Sequence, residues 1–231
     1  MPQTEQPEFT DFHTHAGGCA LYQGHNDTFV VQSVQWEREA AHPRANALTV
    51  GIHPMQPNAL LLLERYSNSP QEWTSAICRF AATHKRPLLA IGECGWDNRS
   101  PLTAQQQEAL MQLHLYAAQQ LSVPLVLHNV GNLHKVLALQ SQKGGSVRLW
   151  LHGFRGKPAT FQQLLRAGLG LSLHPRYPAT LPLTAEHFRS GQVRLETDDT
   201  HQLVRECYNR VAQQHNLPLQ TLTNLSPGYS Y

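Results

Sequence analysis

The sequence predicts an α/β protein, a (β/α)8 barrel abbreviated between its second and third strands and occupying residues 1–231 as one domain. Three observations carry this. Eight short apolar runs, at about 8–13, 29–34, 47–52, 88–93, 123–128, 147–151, 168–173 and 192–196, have the length and composition of buried strands. Stretches with helical spacing lie between most of them, and strand alternating with helix implies parallel strands joined by crossovers. Metal-binding side chains stand at or just beyond several run ends, namely His13, His15, Glu93, His128, His152 and Asp198. Parallel α/β barrels place their chemistry at the C-terminal ends of strands.

The first run ends in Asp11-Phe12-His13-Thr14-His15. Alternation along an extended strand predicts that Asp11, His13 and His15 face the barrel axis together. Two imidazoles at that spacing can grip one cation, with Asp11 either joining them or orienting a neighbouring group. After the second run, QWEREAAHPRANA is too short and polar for a long helix, so the barrel is expected to be irregular there. Helical stretches at 57–66 and 70–85 lead to the fourth run, PLLAI, which passes through Gly92 to Glu93. A carboxylate ending a buried strand is costly unless paired or bound to metal. Its two oxygens can bridge cations about 3.5 to 4 Å apart, the spacing of binuclear hydrolases. Gly92 and Gly95 admit close backbone approach, and Cys94 reads as a small buried side chain.

Thr103 is a fitting N-cap for a helix over 103–121, with Leu110, Leu113, Ala117 and Leu121 spaced to face the barrel. The fifth and sixth runs end in His128 and His152, each followed by a helical stretch, at 132–141 and 158–167. A lone histidine at such a place is commonly a hydrogen-bonded rim residue; two on consecutive strands favour ligands. His174, after the seventh run, reads as rim. The eighth run, VRLET, leads to Asp198, an acid placed to bind a cation and accept a proton from attacking water. Asp199 should point elsewhere, and a helix over 202–215 closes the pattern.

Composition narrows the function. MPQTEQPEF lacks the basic and apolar regions of a secretory signal, and no stretch approaches the roughly 18 apolar residues of a membrane span. A soluble, cytoplasmic protein without a membrane partner is expected. Cys19, Cys78, Cys94 and Cys207 form no CxxC pair, so neither a disulfide framework nor a zinc–thiolate finger is indicated. A net charge of +2, with no Lys/Arg run, argues against a protein that grips duplex DNA.

The blocks DFHTH, GIHP, IGECGWD, PLVLH, LHGFRG and LETDD, in this order over roughly residues 10–200, resemble the TatD-like metal-dependent deoxyribonucleases of the amidohydrolase superfamily. The resemblance implies a TIM barrel holding one or two divalent ions. His13 and His15 would sit on the first, Glu93 would be shared, His128 and His152 would hold the second, and Asp198 would bind the first and act as base. His53, in GIHP, looks like the family's histidine on the substrate side of the pocket. The sequence departs from the family at Met55 and Val130, where relatives often carry histidine and arginine, at Asp199-Thr200 in place of a proline after the Thr197-Asp198 pair, and at its end, TNLSPGYSY.

The implied reaction is attack of a metal-activated water on a phosphodiester of DNA or of a small substrate, with Arg155 as a phosphate contact. Trp96 and Tyr177 are candidates to stack on bases of a single strand. The alternative is a hydrolase of small amides, esters or lactones, which the modest charge and Val130 favour. Zinc suits the histidine-rich set, manganese can occupy it, and magnesium prefers more oxygen.

Overall fold

In a computed structural model that describes residues 7–142 and 146–223, eight parallel strands neighbour one another in chain order around a single sheet. They are β1 (Phe9–Thr14), β2 (Thr28–Gln35), β3 (Ala47–Gly51), β4 (Leu88–Asp97), β5 (Leu125–Val130), β6 (Leu149–Phe154), β7 (Gly170–Leu173) and β8 (Val193–Leu195). Each overlaps the apolar run that foretold it, and the architecture is the (β/α)8 barrel. Residues from 224 onward, which hold most of TNLSPGYSY, and the opening MPQTEQ lie outside the described residues. No described helix is long and apolar enough to cross a membrane.

The expected helices appear as α2 (Ala59–Tyr66), α3 (Pro70–Thr83), α4 (Ala104–Leu121), α5 (Leu133–Gln142), α6 (Pro158–Arg166) and α8 (Val204–His215). Three short ones were not foreseen: α1 (Ala16–Leu21), α7 (Ala185–Arg189) and α9 (Leu219–Thr223). Thr103 caps α4 in a reciprocal box, accepting from Gln106 N while Gln106 Oε1 accepts from Thr103 N. Leu110, Leu113 and Ala117 are buried beneath α4, and Leu121 packs at the edge of the core.

Residues 36–46, between β2 and β3, form turns rather than a helix. Pro43 lacks an N–H for a helix ladder, and side chains take over the backbone's hydrogen bonds. Buried Gln32 donates to Ala40 O and accepts from His42 N, while Arg44 donates to Tyr22 O, His25 O and Thr28 O.

Phe12, Val31, Ala90, Val126 and Trp150 form one buried cluster drawn from five strands, which is the inside of the barrel. Phe12 stacks on Trp150 with ring centroids 6.3 Å apart, and the Arg194 guanidinium lies 4.9 Å from the Phe12 ring. The larger core lies between the strands and the helices. Because Phe12 points inward, its neighbour Asp11 does not; the expectation that Asp11 faces the axis with both histidines is corrected. A register shift between Asp11 and Thr14 breaks the alternation and returns His13 to the interior.

His114, fully buried on α4, supports the end of β3. Its Nε2 accepts from Ile52 N at 2.9 Å, its Nδ1 donates to Leu110 O at 2.6 Å, and its ring meets Trp73 edge-on at 4.7 Å. Burial pulls this imidazole from its ordinary 6.5 down to about 4. The unfolded chain binds the proton first as pH falls, so stability from this group is complete above about 6.5 and is lost towards 4. His114 alone is expected to cost about 2 kcal/mol of stability between pH 7 and pH 5. Urea unfolding at both pH values checks this, and His114→Gln should flatten the dependence.

Candidate metal centre

Glu93 reaches the pocket through a break in β4. The register with β5 shifts between Gly92 and Cys94, so Glu93 leaves the ladder and turns inward. Gly92 (φ 144°) and Gly95 (φ 132°) make the break possible, because a Cβ on either would come within 2.3 Å of the Val126 or His128 carbonyl oxygen. Cys94 is fully buried, as expected of a packing residue.

Around the Glu93 carboxylate stand four imidazoles. His13 Nε2 lies 2.7 Å and His15 Nε2 3.4 Å from Oε1; His53 Nε2 lies 3.4 Å and His152 Nε2 3.6 Å from Oε2. His15 Nε2 is also 3.5 Å from Asp198 Oδ1. His128 Nδ1 faces His152 Nε2 at 3.3 Å, and the His13 and His152 rings stack at 4.2 Å. Two sets of donors therefore meet at one carboxylate, one of His13, His15, Glu93 and Asp198, the other of His53, Glu93 and His128, each with ligand atoms within 4.8 Å of one another. All six residues singled out as ligands from sequence lie in this cluster. His53, assigned to the substrate side, lies inside it.

Asp198 is carried there by a left-handed turn (φ 54°) just past β8, a conformation aspartate tolerates better than most residues. Asp199 is exposed, yet its carboxylate lies within 4.8 Å of ligand atoms of His174 and Asp198, so the expectation that it points elsewhere is corrected. His174 is buried rather than rim-exposed, its Nε2 4.0 Å from Asp198 Oδ2 and its Nδ1 accepting from Arg176 N.

Two buried acids that the sequence reading left unassigned stand behind the imidazoles. Asp97 accepts from His128 Nε2 at 3.0 Å and from Arg99, so the other His128 nitrogen faces the cluster. Glu196 accepts from Gly153 N at 2.7 Å and from Ser172 Oγ, and lies 3.6 Å from His152 Nδ1. The available signal was an acid inside an otherwise apolar strand end, GWD and RLE. Asp97, hydrogen-bonded to His128, is placed to fix that ring and raise its basicity.

The electrostatics follow from the geometry. Burial pulls Glu93 and Asp198 upward, but the surrounding imidazoles more than offset it and hold both carboxyls well below the usual range. Burial opposes charge on His15, yet Asp198 and Glu93 raise it to about 11. Burial lowers His53 to about 4. The Nδ1 atoms of His13, His15 and His152, the ring nitrogens that do not face Glu93, are buried without a hydrogen-bond partner. A cluster rich in imidazole, with two ionised carboxylates, fits divalent cations.

A cleft of about 290 Å³ opens on His128, His152 and Asp198, and Arg155 lines it from the exposed loop after β6. Trp96 and Tyr177 do not reach it as free rings. Trp96 is buried beneath Lys135, and Tyr177 is buried with its hydroxyl donating to Gln214. The stacking role expected of them is corrected.

Imidazoles and carboxylates converging at the C-terminal mouth of a parallel barrel define a metal-dependent hydrolase. The chain matches the family model for TatD related DNase over residues 8–221 and belongs to that family. It is 26% identical over 190 residues to a protein of Pectobacterium atrosepticum named 3'-5' ssDNA/RNA exonuclease TatD, and 29% identical over 186 residues to the protein of the same name from Dickeya dadantii. These matches take in 77% and 78% of this chain and 67% and 66% of the relatives, so the chain spans about two thirds of their length. A TatD family hydrolase from Entamoeba histolytica superposes with a TM-score of 0.67 at 11% identity, covering 95% of each chain; that likeness speaks for the fold. The family does not favour the amide, ester or lactone alternative.

Asp97→Asn removes the anionic partner of His128. It is expected to weaken metal binding roughly 10- to 100-fold without unfolding the barrel. Competition against a chromogenic chelator, with circular dichroism as control, measures it. Cation uptake should also release protons, because His15 must give up its own, so affinity should rise with pH; calorimetry in buffers of differing ionisation enthalpy reads this directly.

Proposed function

We propose that this chain is a phosphodiesterase acting on single-stranded nucleic acid and dependent on divalent cations that the residues around Glu93 would hold. The observation that supports it best is the division of the Glu93 carboxylate, with His13 and His15 on one oxygen and His53 and His152 on the other. The relatives are named 3'-5' ssDNA/RNA exonucleases, and that name supports single-stranded nucleic acid as the substrate class.

His13, His15 and Asp198 would hold one cation, His128 and His152 the other, with Glu93 common to both and His53 beside it. Such cations, when bound, make water acidic enough to serve as nucleophile near neutral pH and offset charge on phosphate oxygens. Asp198, ionised and at the mouth of the cleft, takes the proton from the attacking water through Oδ. His174, whose Nδ1 accepts from Arg176 N, presents its Nε2–H 4.0 Å from Asp198 Oδ2 and adds to the positive side of that carboxylate. Arg155 meets the phosphate as it enters, and the fixed imidazoles keep the reacting groups from reorganising. The product leaves by the same opening.

The test is release of nucleotides from a single-stranded oligodeoxynucleotide. Activity is expected to vanish after exhaustive chelation and to return with manganese or zinc. Asp198→Asn should lower kcat by about 100- to 10,000-fold with the fold intact, and His128→Ala should abolish turnover. Unaltered activity in either variant refutes the assigned roles; hydrolysis of acyl esters without nucleotide release refutes the reaction.

A further inference from the structure

At the N-terminal end of the barrel, opposite the metal centre, lies a hollow of about 370 Å³. Its walls come from just before β1, β2, β3 and β4, the end where parallel barrels keep stability rather than chemistry. Arg44 and Arg86 bring two guanidiniums to it, each with five N–H donors and a charge it cannot shed. Arg44 commits four donors, to Tyr22 O at 2.9 Å, Asn46 Oδ1 at 2.7 Å, Thr28 O at 2.6 Å and His25 O. Arg86 donates to Pro43 O at 2.9 Å and Lys85 O at 3.3 Å, and its Nε is buried without a partner. Among the described residues every acceptor on this pair is a carbonyl or amide oxygen, which satisfies an N–H but does not neutralise the charge. Other arginines meet acids, as Arg65 meets Glu37 and Arg189 meets Glu186. Asp27, beside the hollow, is taken by Arg205 and by the Thr28 hydroxyl. Burial pulls the Arg44 guanidinium down from its usual range, so its charge is harder to hold here than in water.

We infer that this hollow binds a small phosphate-bearing anion, at a site separate from the metal centre. Two guanidinium charges without an acid match a phosphate group, which carries a charge of about −1.5 to −2 at pH 7. Of five donors each, three on Arg86 and one on Arg44 remain for its oxygens, in the planar fork that suits phosphate. The Asn46 amide adds to them, because its Oδ1 is engaged by Val30 N and Arg44 while its N–H groups stay available at the hollow. An anion held there would give the buried Arg86 Nε its acceptor. A volume of about 370 Å³ lies within the range of small-molecule sites and leaves room for an organic body behind the phosphate. The inference is independent of the phosphodiesterase reading, since the metal ligands and the cleft at His128 lie at the other end of the strands.

Calorimetric titration of the full chain with inorganic phosphate and with glycerol 3-phosphate tests this. One saturable component is expected that weakens about tenfold or more in Arg86→Gln, the loss expected when hydrogen bonds to a charged group are removed. The same component should survive Arg155→Gln, because Arg155 lines the cleft at the metal centre and any phosphate bound there depends on it instead. Asn46→Asp should abolish the component with the fold intact by circular dichroism: a carboxylate accepts from Val30 N and Arg44 as the amide does, and it puts negative charge where the anion sits. This second variant keeps the test decisive should Arg86→Gln fail to fold. Tighter binding of glycerol 3-phosphate assigns the site to a phosphate carried on an organic body, and equal binding assigns it to free phosphate. No saturable component with either probe, or one that Asn46→Asp and a folded Arg86→Gln leave unchanged, overturns the site.

Discussion

The seam between β8 and β1 is the constraint on which the rest depends. The other strand pairs of the barrel are joined by ladders, but here a single bridge, Thr14 with Asp198, closes the ring. Side chains complete the closure. Asp11 accepts from Thr197 N at 3.0 Å, Thr197 Oγ1 at 2.6 Å and Tyr22 Oη at 2.6 Å, and the His13 carbonyl accepts from Asp198 N at 2.8 Å. Tyr22 Oη in turn accepts from Val204 N at the start of α8. Burial raises the Asp11 carboxyl to about 6 despite these donors, which shows how strongly the site depends on them. An acceptor left unmatched at such a place costs roughly 1–3 kcal/mol. The seam also sets His13 and His15, on one side, against Asp198 on the other, so the contacts that close the barrel are the ones that bring these groups together.

Charge within the centre is arranged in layers. Glu93 and Asp198 are ionised and ringed by imidazoles; Asp97 and Glu196 stand behind His128 and His152. Burial pushes Glu196 well above the carboxylate range, whereas Arg99 and His128 keep Asp97 well below it.

Much of the fold was legible because an apolar run bounded by turns is a local signal, and eight of them arranged among helical stretches admit few topologies. The short helices were not legible for an equally local reason. In α1, AGGCAL carries two glycines and little helical propensity, and what holds it is burial of Cys19 against the core. The facing of Asp11 was misread because alternation predicts orientation only while the register is unbroken, and β1 is broken at that point. Trp96 and Tyr177 lie near strand ends, but proximity along the chain does not tell whether a ring lies under a helix or over a cleft.

From the sequence alone came the strand runs, the order of their endings in His, Glu and Asp, and the likeness to a family of metal-dependent nucleases, because these depend on residue type and spacing along one dimension. The tertiary structure alone decided that His53 joins the Glu93 cluster, that Asp97 and Glu196 back the imidazoles, and that Asp11 ties the ring shut. Those are contacts between residues 31 to 186 positions apart in some cases and a register break in others. Distances of that kind exist only once the sheet has curled and its two edges have met.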